Sequence, residues 1–124
     1  MILFGMESDL ADSLARILRL DGHHVHMTRS IENLPSHGGD HIVFAGGDGP
    51  NYRETLRGLV DRCREIPVVM VNRVPENSRW LDALELGASD YCGAPFEPVQ
   101  VRWLVDAVLR SVAPASRPLL APAY

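Results

Sequence analysis

The segment GGDG, formed by Gly46, Gly47, Asp48 and Gly49, follows the apolar run IVFA and is the first stretch where the sequence could support chemistry. Backbone amides of neighbouring glycines can surround an anion, so the segment is a candidate ligand loop. The motif is weak, because it has neither the G-x-G-x-x-G spacing nor the lysine of a phosphate-binding loop. An aspartate before a glycine is most often a turn or helix-cap residue, and we favour that interpretation of Asp48.

Histidines and cysteines form the second set of candidates. His23, His24 and His26 are clustered, and His24 and His26 would share one face of a strand, as two ligands of a metal ion would. No third ligand is near in sequence, so we predict solvent-facing histidines on an edge strand and no metal site. Cys63 and Cys92 lie in apolar or small-residue stretches without C-x-x-C spacing, which indicates buried reduced thiols rather than a disulfide.

The composition is that of one ordinary globular domain. The chain has 124 residues, of which 46% are hydrophobic and 23% charged, enough for a single core but too few for two domains. Its net charge of -4 provides no basic surface for nucleic acid, so we expect no nucleic-acid binding by this segment. No run approaches the roughly 20 apolar residues that span a bilayer, and MILFGMESDL lacks the basic start of a secretory signal. The expected location is the cytoplasm, without membrane contact.

Short apolar runs alternate with helical patterns along the chain. The runs predicted to be strands are Ile2–Phe4, His24–Thr28, Ile42–Ala45, Pro67–Val71 and Tyr91–Gly93. Apolar spacing predicts helices over residues 10–18, 56–63, 81–86 and 101–109, whereas residues 30–39 leave room for a helix of only a turn or two. This alternation predicts a doubly wound α/β fold with a five-stranded parallel sheet, in which ligand chemistry lies at the carboxyl ends of the strands.

Two blocks of the sequence resemble the bacterial response-regulator receiver domain, the CheY-like module of two-component signalling. Residues 84–98, LELGASDYCGAPFEP, are similar to that family's L-E-A-G-A-x-D-Y-x-x-K-P-F-x-P, and residues 1–9, MILFGMESD, to its I-L-V-V-D-D-E-P. The similarity covers residues 1–112, and residues 113–124 are predicted to be a Pro/Ala-rich linker or tail. The resemblance implies the strand order 2-1-3-4-5, Mg²⁺-dependent phosphorylation of an aspartate, and a responding face formed by helix four, strand five and helix five.

Carried over by position, the family's catalytic set is almost entirely replaced. The positions of its magnesium-binding acids are Met6 and Glu7, that of its acceptor aspartate is Ala45, that of its Thr or Ser is Asn72, and that of its lysine is Ala94. Ala45 has no nucleophile, and Mg²⁺ needs several oxygen ligands where one carboxylate remains. We therefore expect a pseudo-receiver without phosphoryl transfer, metal or cofactor. The alternative is a sensor that uses Asp48 as a displaced acceptor or binds a small anion at the glycine loop.

Exposed aromatic residues are the candidates for a protein-binding surface. Inward-facing Leu81 and Leu84 would turn Trp80 outward, and an inward valine stripe in the last helix would leave Trp103 and Leu104 outside. The predicted interface, on the face of helix four, strand five and helix five, comprises Trp80, Tyr91, Trp103 and Leu104, with Arg79 and Arg102 as its polar rim. The alternative is that either tryptophan lies in a groove between helices with only its indole edge exposed. We expect a phosphorylation-independent module for protein interaction or dimerisation in bacterial signal transduction or transcription regulation, and not an enzyme.

Overall fold

The computed structural model describes residues 1–35, 41–63, 65–73 and 77–111. In these ranges the strands are β1 (Ile2–Phe4), β2 (His26–Thr28), β3 (Val43–Gly46), β4 (Val68–Asn72) and β5 (Asp90–Gly93). The α-helices are α1 (Ser8–Leu20), α2 (Tyr52–Arg62), α3 (Asn77–Glu85) and α4 (Pro98–Ser111), and Ile31–Asn33 form one turn of 3-10 helix. The linker predicted at 113–124 lies outside the described residues.

The strands form one parallel sheet in the order β2-β1-β3-β4-β5. This order, with helices in the connections, confirms the predicted doubly wound α/β fold. The inner strand β4, with the sequence VVMVN, is buried along its whole length, because helices cover both faces of a parallel sheet. His24 and His26 are exposed on and beside the edge strand β2, which agrees with the prediction that they face solvent.

Two apolar cores lie on opposite faces of the sheet. The first core packs α1 and α4 against the sheet and includes Leu14, Leu18 and Phe44, all completely buried. The second core packs α2 and α3 against the other face and includes Val43 and Ala45. The strand β3 contributes to both cores because neighbouring side chains of a strand point to opposite faces. Apolar packing on both faces of the sheet therefore holds the end of β3 in place.

The helix α3 differs from the predicted register. Leu81 and Leu84, which were expected to face inward, are 56% and 39% exposed, while Ala83 is completely buried. Successive residues of a helix lie about 100° apart, so a helix that turns Ala83 toward the sheet turns both leucines away from it. The two outward leucines enlarge the apolar surface beside Trp80, which is 43% exposed.

Smaller differences occur at the ends of the elements. The second strand is shorter than predicted, because it begins at His26. Its Met27 is 41% exposed, whereas Val25, the residue before the strand, is half-buried. The helical segment after β2 is short, as predicted, and amounts to one 3-10 turn in the described residues. None of the described helices is both long enough and apolar enough to cross a bilayer.

Candidate functional site

The carboxyl ends of the parallel strands meet at one edge of the sheet, here called the carboxyl edge. Met6 and Glu7 follow β1, Ala45 is the third residue of β3, Asn72 ends β4, and Ala94 follows β5. The strand register aligns Phe4 of β1 with Ala45 of β3, and the N–H of Ala94 donates to the carbonyl of Asn72 at 2.9 Å. The five positions implied by the resemblance therefore lie at the same edge, where ligands bind in folds of this class.

Three of these five positions hold apolar residues that pack in or against the two cores. Met6 is 6% exposed and belongs to the core under α1 and α4, and Ala45 is 3% exposed and belongs to the core under α2 and α3. Ala94 is half-buried and packs against the first core. A thioether and two methyl groups thus stand where the resemblance implied two carboxylates and an amine. These three positions supply neither a nucleophile nor a charged group.

Asn72 is the buried polar residue of the carboxyl edge, with 1% of its surface exposed. Its Nδ2 atom donates to the carbonyl of Gly47 at 2.8 Å and to Oδ1 of Asp48 at 3.1 Å. Its Oδ1 atom is buried and has no hydrogen-bond partner in the part of the chain that the structure describes. The amide of Asn72 therefore ties the end of β4 to the loop that follows β3.

Asp48 has a different role from the turn or helix-cap role that its sequence context favoured. Its Oδ1 and Oδ2 atoms accept the backbone N–H of Arg73 at 2.9 and 3.0 Å, in addition to the bond from Asn72. The helix α2 begins after Asn51, and that residue makes no side-chain cap. The carboxylate of Asp48 bonds to donors that are remote in sequence, which the sequence pattern could not predict.

Close packing explains two glycines of the candidate ligand loop. A Cβ atom on Gly46 would lie 2.8 Å from the carbonyl oxygen of Gly5, and one on Gly47 would lie 2.5 Å from Cε of Met70. The N–H of Gly47 already donates to the carbonyl of Val71 at 2.8 Å. That amide is used within the sheet, so it is not available to an anion, and both glycines have a structural reason to be present.

Arg79 lies at this loop, which corrects the prediction that it rims the aromatic surface. Its Nη1 atom donates to the carbonyl oxygens of Gly47 at 2.7 Å and Gly49 at 3.3 Å. Its guanidinium lies 4.6 Å from the centre of the Tyr52 ring, in the range of a cation–π contact. The long arginine side chain reaches from the first turn of α3 to two carbonyls of the loop after β3, and it shares the carbonyl of Gly47 with Asn72.

Arg73 and Asp9 form the ion pair of the carboxyl edge, which sequence reasoning missed. Nη2 and Nη1 of Arg73 donate to Oδ1 and Oδ2 of Asp9 at 2.9 and 3.1 Å, and Nη2 is 3.5 Å from Oε2 of Glu7. The hydrogen bonds between them lower the pKa of Asp9 and raise the pKa of Arg73. A basic residue directly after β4 and acids at the start of α1 are the signal that could have predicted this pair.

A further polar cluster joins α2 to α3. The hydroxyl of Tyr52 donates to Oδ2 of Asp82 at 2.8 Å, and Nε of Arg53 donates to the same oxygen at 3.1 Å. The hydrogen bond from Tyr52, followed by that from Arg53, lowers the pKa of Asp82 from 3.8. This cluster holds the two helices that cover the second core.

We expect Tyr52→Phe to raise the pKa of the Asp82 carboxyl group back toward its ordinary value. Because that pKa is lower in the folded than in the unfolded chain, this group stabilises the fold above about pH 4 and stops doing so as the pH falls through the lowered pKa. A carbon-13 NMR titration of the side-chain carboxyl measures the midpoint. The Asp9 midpoint is the internal control and should not move, and an unmoved Asp82 midpoint would contradict the assigned contact.

Most of the large exposed apolar residues in the described part of the chain, apart from Leu20 and Met27, lie on two helices that both contact the edge strand β5. These residues are Trp80, Leu81, Leu84, Val99 and Trp103, and together with β5 they form the surface here called the α3–β5–α4 face. Trp103 is 69% exposed, so it does not lie in a groove between helices. The ring of Trp80 contacts that of Tyr91, with 6.2 Å between centroids, which leaves Trp80 partly covered.

Two residues of the predicted interface have their main contacts inside the domain. Leu104 is half-buried and packs against the first core, so it is less exposed than predicted. Arg102 donates from Nη2 to Oδ1 of Asp21 at 2.9 Å and so links α4 to the end of α1. The predicted inward stripe of α4 is confirmed, since Val101, Val105 and Val108 are buried. Leu104 lies beside this stripe and is half-buried.

Both cysteines are free thiols. Burial, and secondarily the charge of Asp90, raises the pKa of the Cys92 thiol to about 11, and burial also raises the pKa of the Cys63 thiol. Both groups are therefore protonated at neutral pH, so neither is an activated nucleophile. Cys63 is buried as predicted, whereas Cys92 is only half-buried.

Comparison with known sequences gives a partial match. No protein-family model matches the chain. The chain is 35% identical over 72 residues to the phosphate regulon transcriptional regulatory protein PhoB of Escherichia coli, and the match covers 58% of this chain and 31% of PhoB. A second relative, protein PetR of Rhodobacter capsulatus, is 30% identical over 74 residues. The chain thus spans only about a third of the length of these relatives.

Solved structures match nearly the whole chain. The receiver domain of NtrX from Brucella abortus superposes with a TM-score of 0.74 at 20% identity, covering 89% of this chain and 98% of that domain. The beryllofluoride-activated NtrC4 receiver domain dimer superposes with a TM-score of 0.72 at 12% identity, covering 90% of this chain and 97% of the NtrC4 chain. Identities this low show the shared fold, and the PhoB match adds similarity in sequence. The chain is therefore similar in fold to receiver domains of response regulators, and over 72 residues it is similar in sequence to PhoB.

Proposed function

We propose that this receiver domain works without phosphorylation, as a protein-interaction or dimerisation module in bacterial signal transduction or transcription regulation. The observation that supports the proposal most directly is the burial of Met6 and Ala45 in the two cores. Phosphoryl transfer to a side chain needs an oxygen nucleophile, and the methyl group of Ala45 has none. The domain is proposed to keep the fold for its contacts and not to act as an enzyme.

The residues at the carboxyl edge do not fit the magnesium ion that the fold family implies. Mg²⁺ prefers about six oxygens in octahedral geometry, and a buried thioether such as that of Met6 is a poor ligand for it. Of the positions that the resemblance assigns to the metal, only Glu7 keeps a carboxylate, and its oxygen is 3.5 Å from Arg73. The proposed function therefore includes no step that uses a metal ion.

The α3–β5–α4 face is the proposed contact surface. Monomeric proteins seldom expose several large apolar residues together, and exposed tryptophans are the residues that most often dominate binding energy. Trp80 and Trp103 are 43% and 69% exposed, and Leu81, Leu84 and Val99 lie on the same two helices. The NtrC4 receiver is a dimer, and PhoB is a transcriptional regulator, which supports a second copy or another protein as the partner. We place this activity in the cytoplasm, with no direct contact to nucleic acid or membrane.

The alternative function, a sensor that uses Asp48 or the glycine loop, has less support. Both carboxylate oxygens of Asp48 accept hydrogen bonds from the end of β4. The amide of Gly47 is used in the sheet, and the carbonyls of Gly47 and Gly49 accept from Arg79. The loop therefore presents acceptors to a cation rather than donors to an anion.

Treatment with a phosphoryl donor tests the proposed function. The protein is incubated with acetyl phosphate or beryllofluoride and millimolar Mg²⁺, and its intact mass, amide NMR spectrum and Tm are measured. We expect no added phosphoryl group, an unchanged spectrum and a Tm shift below about 1 °C, because a ligand stabilises only a fold that binds it. A phosphorylatable receiver is the positive control. A modified Asp48, or a shift of several degrees with Mg²⁺, would favour the sensor instead.

A further inference from the structure

Three carboxylates surround Arg73 at the carboxyl edge. Its guanidinium pairs with Asp9 at 2.9 and 3.1 Å and lies 3.5 Å from Glu7, both at the start of α1. Its backbone N–H donates to Asp48, in the loop after β3, at 2.9 and 3.0 Å. One residue after β4 therefore connects acidic groups from two other segments of the carboxyl edge.

A neutral oxygen belongs to the amide that binds one of these carboxylates. Asn72 Oδ1 is buried and has no partner among the described residues, and the nitrogen of the same amide donates to Asp48. Carboxylate and amide oxygens are the ligands that hard divalent cations prefer. The described residues thus contain oxygen donors of the right type, but the positive charge next to them comes from an arginine of the chain.

Arginine is suited to this position for two reasons. Its planar guanidinium pairs with a carboxylate through two parallel hydrogen bonds, which a lysine does not do. Its permanent positive charge also reduces the repulsion among acidic groups that are held near one another. Both effects here connect the start of α1 to the end of β4 without any bound ligand.

We propose that Arg73 is a resident cation of the carboxyl edge and occupies the carboxylates of Glu7 and Asp9, which would otherwise attract a divalent metal ion. Its guanidinium links the start of α1 to the end of β4, and its backbone N–H binds Asp48 in the loop after β3, so contacts within the chain join these three segments. This inference goes beyond the proposed function, because it concerns the charge balance of the edge and holds whichever protein binds the α3–β5–α4 face.

Binding of Mn²⁺, a paramagnetic probe, tests the proposal in the intact protein. Arg73→Gln removes the positive charge but keeps a polar, unbranched side chain. It also keeps the backbone N–H that binds Asp48. Arg102→Gln is the matched control, because Arg102 is also an exposed arginine paired with one aspartate, Asp21, at 2.9 Å. Both variants lower the net charge by the same amount, so nonspecific attraction of the cation changes equally in both.

We expect Arg73→Gln to bind Mn²⁺ at least about fivefold more tightly than wild type, with dissociation constants in the range of about 0.1 to 1 mM that weak oxygen sites show. Amide NMR signals of residues 7–9 and 47–48 should broaden selectively, and wild type and Arg102→Gln should show little broadening there. Equal broadening in the two variants, or strong broadening already in wild type, would overturn the proposal. Circular dichroism confirms that each variant is folded. A failure here leaves the proposed function standing, because the phosphoryl-donor experiment does not depend on Arg73.

Discussion

Replacement of Ala45 by aspartate should destabilise the domain by about 3 kcal/mol, the cost of a buried charge without a partner. Ala45 is 3% exposed and lies in the core under α2 and α3, so an aspartate there would place its carboxylate in largely apolar surroundings. The residues that follow β1 and β5 offer it no cation, since they are Met6 and Ala94. Restoring the acidic residue that the resemblance implies should therefore not restore a phosphate acceptor, and acetyl phosphate should leave the mass of the variant unchanged.

The pH dependence of the stability of Ala45→Asp distinguishes the effect of the new charge from the effect of the larger side chain. Burial raises the pKa of a carboxyl group, so the folded chain would hold the new proton more tightly than the unfolded chain does. The stability of Ala45→Asp should then fall as the pH rises above about 4, the unfolded value, whereas Ala45→Asn should show no such loss. Urea unfolding at several pH values measures both variants. An Ala45→Asp variant that is as stable as wild type at pH 7, or that becomes phosphorylated, would contradict the apolar surroundings assigned to Ala45.

Substitution of Trp103 by alanine should weaken self-association or partner binding by about thirtyfold, the effect of losing one dominant contact of about 2 kcal/mol. Trp103 is 69% exposed, so its removal leaves no cavity in the core and should change Tm by no more than about 2 °C. Sedimentation equilibrium over a range of concentrations measures association, and thermal unfolding measures stability. The two measurements distinguish an interface residue from a core residue.

Leu20→Ala is the matched control for this substitution. Leu20 is 81% exposed and lies on α1, which is not one of the three elements of the α3–β5–α4 face. The Leu20→Ala substitution should leave association unchanged, although it also removes a large exposed apolar side chain. Equal weakening by both variants would contradict the α3–β5–α4 face as the contact surface. A wild-type chain that stays monomeric would exclude the homodimer and leave a different protein as the partner.

Local patterns in the sequence predicted the elements well because each pattern reports on burial along one segment. Leu10, Leu14 and Leu18 repeat at helical spacing and form the buried stripe of α1. The continuous apolar run in β4 predicted a strand covered on both faces, and it is buried throughout. The α3 register was wrong because its segment contains leucines on more than one side, and periodicity alone does not decide which side faces the sheet.

The candidate site was predictable only in part. The resemblance identified the positions of Met6, Ala45 and Ala94, and their side chains alone indicate that no nucleophile or amine is present. The contacts of Asp48 were not predictable, because its donors on Asn72 and Arg73 are 24 and 25 residues away along the chain. Sequence context favoured a local turn for this aspartate, and the parallel sheet brought remote donors to it instead.

The sequence by itself determined the fold class, the absence of an acceptor oxygen at Ala45 and the presence of surplus aromatic residues in the last third of the chain. The tertiary structure decided which charged groups meet at the carboxyl edge and which apolar residues remain exposed. The physical reason is that apolar periodicity is a local property of each element, whereas hydrogen bonds and ion pairs form between loops that only the completed sheet brings together. Arg73 shows the difference, since only the folded sheet brings its guanidinium to Asp9, 64 residues away along the chain.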